Sequence, residues 1–532
     1  MAKNLLTSTS RNISFDIIFQ ITCRCITFFI NAFVARHVDR AVLGVINVRL
    51  LLLESMILFL SREPFFRACL NNSSSRNWAQ IINQLWLTVP LSTFMSIFFG
   101  YIWLSVLTTS ETLPPYYTFA VFSIAISCVV YLTSLAAQVV ASTYFPLRFQ
   151  IIVDFGIILF RTLVFIAFYE PESALLAFGI AQLVSMTLSA IIYYICIHFY
   201  IKRLTTRNSS NNDFPFKSIK EFIPGQLKNE ASWIDKNLMT LTRGLFEQSI
   251  LMQILTEGEK MIMTIFPVMS FAEQGTYDVV NNLGSLAARF IFRPIEDQGY
   301  IYFTKLVKRD KPISQQDPEL IQESIRLFSN LCSAVSSIGL IVLIFGQSYS
   351  STLLWLYGGS KFTTEFSITL LRAHCLAVLL LAINGITECY ANATADVNTI
   401  KKSNLIRIYQ SIAFLLVSYG FAKWLGPVGF IFGNCVNMAL RIFYSISFIN
   451  ARHDGTGYQP LHGLLPKPLF SVSLIISGFV TIISHMYYFP EHKLAHFFIG
   501  VLMFGMVTLS WAYENREIIE ASFKKWQKKK SQ

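Results

Sequence analysis

Fourteen apolar runs, each long enough to cross a bilayer as a helix, leave this chain few folds to choose from. A helical span takes roughly 20 mostly apolar residues. Runs of that kind, read between charged or Pro/Gly/Asn breaks, fall near 14–37, 44–66, 82–107, 117–140, 149–169, 174–200, 248–270, 275–303, 326–347, 366–393, 404–424, 427–449, 468–489 and 493–512. The run near 248–270 is interrupted by Glu257, Glu259 and Lys260, and segment 351–359 is apolar but too short to cross. Composition agrees, with 53% hydrophobic and 14% charged residues and a mean hydropathy of +0.50. That balance excludes an ordinary soluble enzyme.

Charge is distributed as topology requires. The net charge is +12, concentrated in a few connections and the tail rather than spread as a nucleic-acid footprint, so no nucleic-acid partner is expected. Connection 201–247 carries Lys202, Arg203, Arg207, Lys217, Lys220, Lys228, Lys236 and Arg243. Connection 304–312 carries Lys305, Lys308, Arg309 and Lys311, whereas 110–116 and 170–173 have no Lys or Arg. Basic even-numbered connections place both termini in the cytosol. The first span is expected to remain as a signal anchor, because no short apolar core with a small-residue cleavage site precedes it. Arg36 and Arg40, at the first hairpin, depart from the charge rule and read as site residues or headgroup contacts. Lys529 and Lys530 stand fourth and third from the C-terminus. That spacing has the form of a dilysine retrieval signal, the kind a vesicle coat protein reads on an endoplasmic reticulum protein. A solvated or headgroup-anchoring tail is the alternative.

Two of the spans are loaded with charge. Segment 45–67 carries Arg49, Glu54, Arg62, Glu63 and Arg67; segment 278–297 carries Asp278, Arg289, Arg293, Glu296 and Asp297. Charge at membrane depth is costly, so these side chains must face protein or a water-filled cavity. The two segments correspond. Displacement by 231 residues sets Gly44 on Gly275, Asn47 on Asp278 and Arg62 on Arg293, with Pro64 beside Pro294. With six spans in the first unit, the copies are parallel repeats about an axis along the membrane normal. The expected fold is therefore an all-α polytopic membrane protein: two six-helix lobes as parallel pseudo-repeats plus two C-terminal helices. Its parts are an N-terminal lobe at 1–200, a basic cytosolic linker at 201–247, a C-terminal lobe at 248–450, two trailing spans at 451–512 and a basic cytosolic tail at 513–532.

Helical geometry gathers the charges. Arg49 and Arg67 are 18 residues apart, about five turns or 27 Å of α-helix. Glu63 falls within about 40° of their face, and Asp278, Arg289, Arg293 and Glu296 share an arc of about 60°. Arg24 lies near the middle of the first span. Facing stripes of this kind would line an interlobe cavity for an anionic substrate. The competing reading is structural: pairs such as Arg289 with Glu296, or Arg49 with Glu54, lock helices together. Glu257 and Lys260, spaced i,i+3, would neutralise each other. Pro64 and Pro294 are hinge candidates or plain helix ends. Sequons occur at Asn12, Asn71, Asn72, Asn208 and Asn392; by the topology none reaches the lumen, and no glycan is expected. The nine cysteines form neither a disulfide framework nor a zinc spacing. There is no Walker motif and no catalytic constellation beyond His37 beside Asp39, so neither enzymatic activity nor a cofactor is expected.

Six stretches carry a resemblance over nearly the full length: NAFVARHVDRAVLGVINVRL at 31–50, SREPFFRACL at 61–70, QILTEGEKMIMT at 253–264, YDVVNNLGSLAARFIFRPIE at 277–296, LLLAINGITECY at 379–390 and VGFIFGNCVNMALRI at 428–442. In these the chain resembles the eukaryotic dolichol-linked oligosaccharide translocation proteins of the endoplasmic reticulum. The resemblance implies the fold of the multidrug/oligosaccharidyl-lipid/polysaccharide exporter superfamily. It implies as partners membrane lipid and a dolichyl-pyrophosphate heptasaccharide, moved to the luminal leaflet for N-glycosylation. Its pyrophosphate suits the planar fork of arginine. The residues the resemblance puts at stake are Arg24, Arg36, Arg62, Glu63, Arg67, Glu257, Arg289, Glu296 and Arg441. One departure stands out: where the family tends to carry Glu-Pro in the fourth span, this chain reads LTSLAAQVV at 132–140. The leading reading is a flippase working by alternating access. Its rivals are a non-transporting partner that stabilises the same lipid, a cation-coupled drug exporter, and a membrane glycosyltransferase. The cationic stripes disfavour the exporter, and the scarcity of luminal acids disfavours the transferase.

Overall fold

A computed structural model describes residues 19, 22–71, 77–107, 113–207, 214–225, 232–266, 268–309, 311–455, 459–489, 491–516 and 520. Among these, every regular element is helical. Helix α1 covers 22–37; α2 is Arg40–Leu70, α3 Trp78–Val106, α4 Tyr117–Leu132, α5 Leu135–Tyr144, α6 Leu147–Ala167 and α7 Ala174–Arg207. Then come α8 Lys236–Ile265, α9 Phe271–Gly284, α10 Arg293–Leu306, α11 Pro318–Gly358, α12 Glu365–Thr394, α13 Val397–Leu425, α14 Val428–His453, α15 Pro468–Tyr488 and α16 Lys493–Glu514. Among the described residues, ten helices are long and apolar enough to cross a membrane, or 11 if the bent pair α4–α5 is one span. The sequons at Asn12, Asn72 and Asn208, and the tail lysines Lys529 and Lys530, lie outside the described residues.

The chain divides into two compact units, Met1–Gly275 and Thr276–Gln532, so the division falls inside α9. In the first unit α2 packs on α8 and α3, and α7 on α4 and α6. Helix α8, whose second half the sequence reading counts with the C-terminal lobe, lies in this unit. Phe65, Ile81, Leu85, Leu135, Val139 and Ile197 belong to one buried cluster in it. In the second unit α12 packs on α11 and α14, α13 on α14, and α15 on α16 and α11. Its core gathers Phe292, Phe303, Phe328, Ile386, Tyr390 and Ile449. Leu416, Phe443, Phe479 and Leu502 point outward and exposed, as a lipid-facing surface requires.

Local chemistry explains the irregular places. Helix α2 starts at Asp39, whose carboxylate accepts from the Ala41 amide at 3.0 Å. Helix α9 starts with a reciprocal cap: the Ser270 amide donates to Glu273 at 2.8 Å, and the Glu273 amide to the Ser270 hydroxyl at 3.3 Å. Both helices are interrupted by, or lead into, a π-helical turn, Val45–Leu50 and Ala288–Phe292. The bend of 49° between α4 and α5 occurs at Thr133–Ser134 with no proline. Here Thr133 donates to the Val130 carbonyl at 2.6 Å and Ser134 to Tyr131 at 2.7 Å, which satisfies carbonyls freed by the break. Segment 351–359 belongs to the end of α11, a helix of 41 residues and about 60 Å, which stops where Gly359 turns to φ +75°.

Candidate functional site

A polar cavity of about 410 Å³ opens within the first unit, among α2, α4, α6 and α7. Arg62 and Glu63 enter it from α2, Tyr131 from α4, Asp154 from α6 and Ser189 from α7. Arg62 reaches Glu63 at 3.7 Å and lies 4.5 Å from the centre of the Phe66 ring. Arg67, one turn further, donates to the other Glu63 oxygen at 2.6 Å. Tyr193 donates to Asp154 at 3.5 Å. The structure thus brings Arg62, Glu63 and Arg67 together and adds Asp154 and Tyr131, which the sequence reading does not single out. A lone aspartate in the apolar run 149–160 was the available signal, because ionisable groups at membrane depth are functional candidates by default.

Arg49 is elsewhere. It sits in the π-helical turn, 2% exposed, with its guanidinium 3.5 Å from the Thr264 carbonyl and 4.8 Å from the Phe271 ring centre. Trp103 donates to its carbonyl at 3.1 Å. The face shared by Arg49 and Arg67 assumes an unbroken α-helix; the π turn breaks that register, and Arg49 is packed where Arg67 is open. Glu54 pairs with Arg161 at 3.6 Å rather than with Arg49. Glu257 is held by Lys260 at 3.3 Å and accepts from Ser55 at 3.4 Å. Arg24 and Arg36 lie exposed on α1, and Pro64 lies inside a continuous helical stretch.

In the second unit the charged stripe is likewise split by its π turn. Asp278 is buried and accepts from Asn282 at 3.0 Å. Arg289 is exposed and donates to the Asn282 carbonyl at 2.6 Å, while Arg293, exposed, pairs with Asp297 at 3.4 Å. Pro294 occupies the first turn of α10. Glu296 is half-buried against Gly385, where a Cβ would collide with its carboxylate. Arg441, by contrast, belongs to a network the sequence reading did not assemble. Glu388 of α12 accepts from Arg441 of α14 at 2.6 Å and pairs with Arg407 of α13 at 3.1 Å. Arg407 also donates to the Asn392 side chain at 2.7 Å, and Asn384 to Glu388 at 3.3 Å. One carboxylate therefore holds two guanidinium groups from two other helices, leaving an excess positive charge. A second cavity of about 550 Å³ in this unit is apolar, lined among others by Leu286, Ile341, Phe345, Leu353, Phe497 and Phe504. Hydrocarbon fits it; a charged head group does not. Among the described residues no group of three His, Cys, Asp or Glu is placed to hold a metal ion.

These features define a class: a multi-span, all-helical membrane protein with ionisable groups lining polar space inside its helical bundles. The chain belongs to the Rft protein family, whose model matches residues 8–525. It is 42% identical to the Man(5)GlcNAc(2)-PP-dolichol translocation protein RFT1 of Drosophila melanogaster, over 98% of this chain and 99% of that one. The protein of the same name from Mus musculus is 35% identical over 96% of this chain and 95% of its own. Among solved structures, the lipid II flippase MurJ in an inward closed conformation matches with a TM-score of 0.64 at 13% identity, covering 95% of this chain and 100% of MurJ. An inward-facing multidrug resistance MATE transporter of the MOP superfamily matches at 0.56 and 10% identity, covering 81% of this chain and 95% of that one. The chain thus shares its helical fold with these two transporters.

Proposed function

We propose that this protein moves a dolichyl-pyrophosphate oligosaccharide from the cytosolic to the luminal leaflet of the endoplasmic reticulum, supplying protein N-glycosylation. The observation that carries the reading is full-length identity of 42% to a relative named for translocation of that lipid. The chemistry supports it. Arginines of these helices, Arg289 and Arg293 exposed and Arg441 on a shared carboxylate, carry the forked donors that suit a pyrophosphate. Transport proceeds by alternating access, a conformational cycle without covalent chemistry, so the protein is not an enzyme.

A count of fourteen spans is the reading these helices support. To the ten apolar ones are added α4–α5 as one bent span, α1, α8, and α9 with α10 as one. The last two carry the charges that keep them from reading as apolar, which is what a substrate-lining helix requires. Both termini are cytosolic by the charge of the connections, and Lys529 and Lys530 retrieve the protein through coat recognition. In cells lacking the protein, cytosol-facing lipid-linked oligosaccharide accumulates and secretory glycoproteins are underglycosylated. Fully extended lipid-linked oligosaccharide with normal glycoproteins in such cells would remove the assignment.

A further inference from the structure

We infer that the polar cavity of the first unit is a saccharide subsite: it takes one or two neutral pyranose rings of the head group and excludes the pyrophosphate. The inference rests on the function proposed above and adds to it where the glycan sits. Its volume of about 410 Å³ is within the ~300–1,000 Å³ usual for small-ligand pockets.

The charges point to the ligand's class. The ionisable side chains lining the cavity are Arg62, Glu63 and Asp154, and Arg67 sits on Glu63 at 2.6 Å beside it. A pyrophosphate entering here would find no cation to spare, because Glu63 already holds both arginines. Carboxylates only accept hydrogen bonds, so what they hold must donate; Arg62 only donates, so the same ligand must also accept. Arg62 Nε is buried without a hydrogen-bond partner, a donor still to be satisfied. Vicinal hydroxyls donate and accept at once. The walls suit a ring that is polar at its rim and apolar on its faces: Phe59 and Tyr131 line the cavity along with Ile157, while Ser189 adds a small hydroxyl partner.

A bound cation is the competing occupant, and the geometry disfavours it. Glu63 already carries Arg67 at 2.6 Å and Arg62 at 3.7 Å. Asp154 is then the one lining carboxylate not held by an arginine ion pair within 4.0 Å among the described residues, and a single carboxylate is a poor cation cage.

The test is equilibrium binding to the purified full-length chain in lipid nanodiscs, with two probes: dolichyl pyrophosphate bearing the oligosaccharide, and dolichyl pyrophosphate without sugar. Asp154→Asn, which keeps the side chain's shape, and Tyr131→Phe are compared with wild type after melting curves show both to be folded. The expected result is a loss of about tenfold in affinity for the glycosylated lipid in Asp154→Asn, a smaller loss in Tyr131→Phe, and unchanged affinity for the bare lipid. Equal losses for both probes, no loss for either, or a sodium-dependent loss blind to the sugar would each overturn the subsite. A wild-type chain that binds the bare lipid as tightly as the glycosylated one would also overturn it while sparing the proposed function. A wild-type chain that binds neither lipid removes the proposed function, and the subsite with it.

Discussion

Gly44 and Gly275 meet backbone to backbone: a Cβ on Gly44 would lie 2.8 Å from the Gly275 nitrogen, and one on Gly275 would lie 2.7 Å from the Gly44 nitrogen. The contact is reciprocal in its other atoms as well. Gly44 faces the Phe271 carbonyl and Gly275 the Arg40 carbonyl. Positions 40 and 271, like 44 and 275, are separated by 231 residues, the same displacement that aligns the two charged segments. Small residues that let helix backbones touch are a main device of helix association in membranes.

Gly44→Ala and Gly275→Ala are therefore expected to destabilise the protein by about 1–3 kcal/mol each, the usual range for overpacking a tight contact. Because the obstacle is backbone, neither site can relax by a rotamer change. Gly156→Ala and Gly420→Ala, where a Cβ would meet nothing within 4 Å, serve as controls. Thermal melting of the purified variants in one detergent checks the contrast.

Glu388 is expected to be a keystone of the second unit. Its removal leaves Arg407 and Arg441 facing each other's charge without the carboxylate that holds both. Breaking such a partly buried pair from one side costs on the order of 3 kcal/mol. Glu388→Ala should lower the melting temperature and cellular abundance, and Glu388→Ala with Arg407→Ala should recover part of the loss. A double variant no better than the single one would deny the coupling.

Arginines of the charged spans should separate into two groups. Arg49→Ala empties a fully packed place beside Thr264 and Phe271, so abundance falls. Arg289→Ala leaves packing intact because the side chain is exposed; the protein accumulates, and substrate affinity drops by about 1.5–3 kcal/mol, the worth of a charge-assisted contact. Arg289→Lys keeps the charge without the planar fork and should rescue only in part. Immunoblotting beside glycoprotein analysis in the same cells reads both quantities.

A C-terminal tag should be digested by protease added to intact microsomes, as cytosolic termini require. A tag protected until detergent is added would reverse the orientation and the retrieval role of Lys529 and Lys530 together.

Much of this was legible in the residues themselves. The apolar runs set the helices to within several residues, apart from ends such as those of α11, where apolar content fades before the helix does. Charged α8 and α9 were recognisable as helices because their charge is spaced within apolar context. What escaped was whatever depends on a local change of helical register or on three helices meeting. Nothing in VINVRL announces a π turn, yet that turn buries Arg49. Glu388 lies within the stretch LLLAINGITECY, but its role depends on Arg407 and Arg441, which reach it only once α12, α13 and α14 pack. Asp154 has no partner nearby in sequence; it gains meaning from Arg62 and Tyr193, brought from α2 and α7.

The most direct measurement is transport by the purified protein alone. Liposomes containing the full-length chain receive a labelled dolichyl-pyrophosphate oligosaccharide, and its leaflet is read with an impermeant glycan-modifying reagent. The account predicts exchange between leaflets well above that of protein-free liposomes, slowed in Arg289→Ala and in Asp154→Asn. Exchange no faster than in protein-free liposomes, from protein that is folded and correctly inserted, would contradict it.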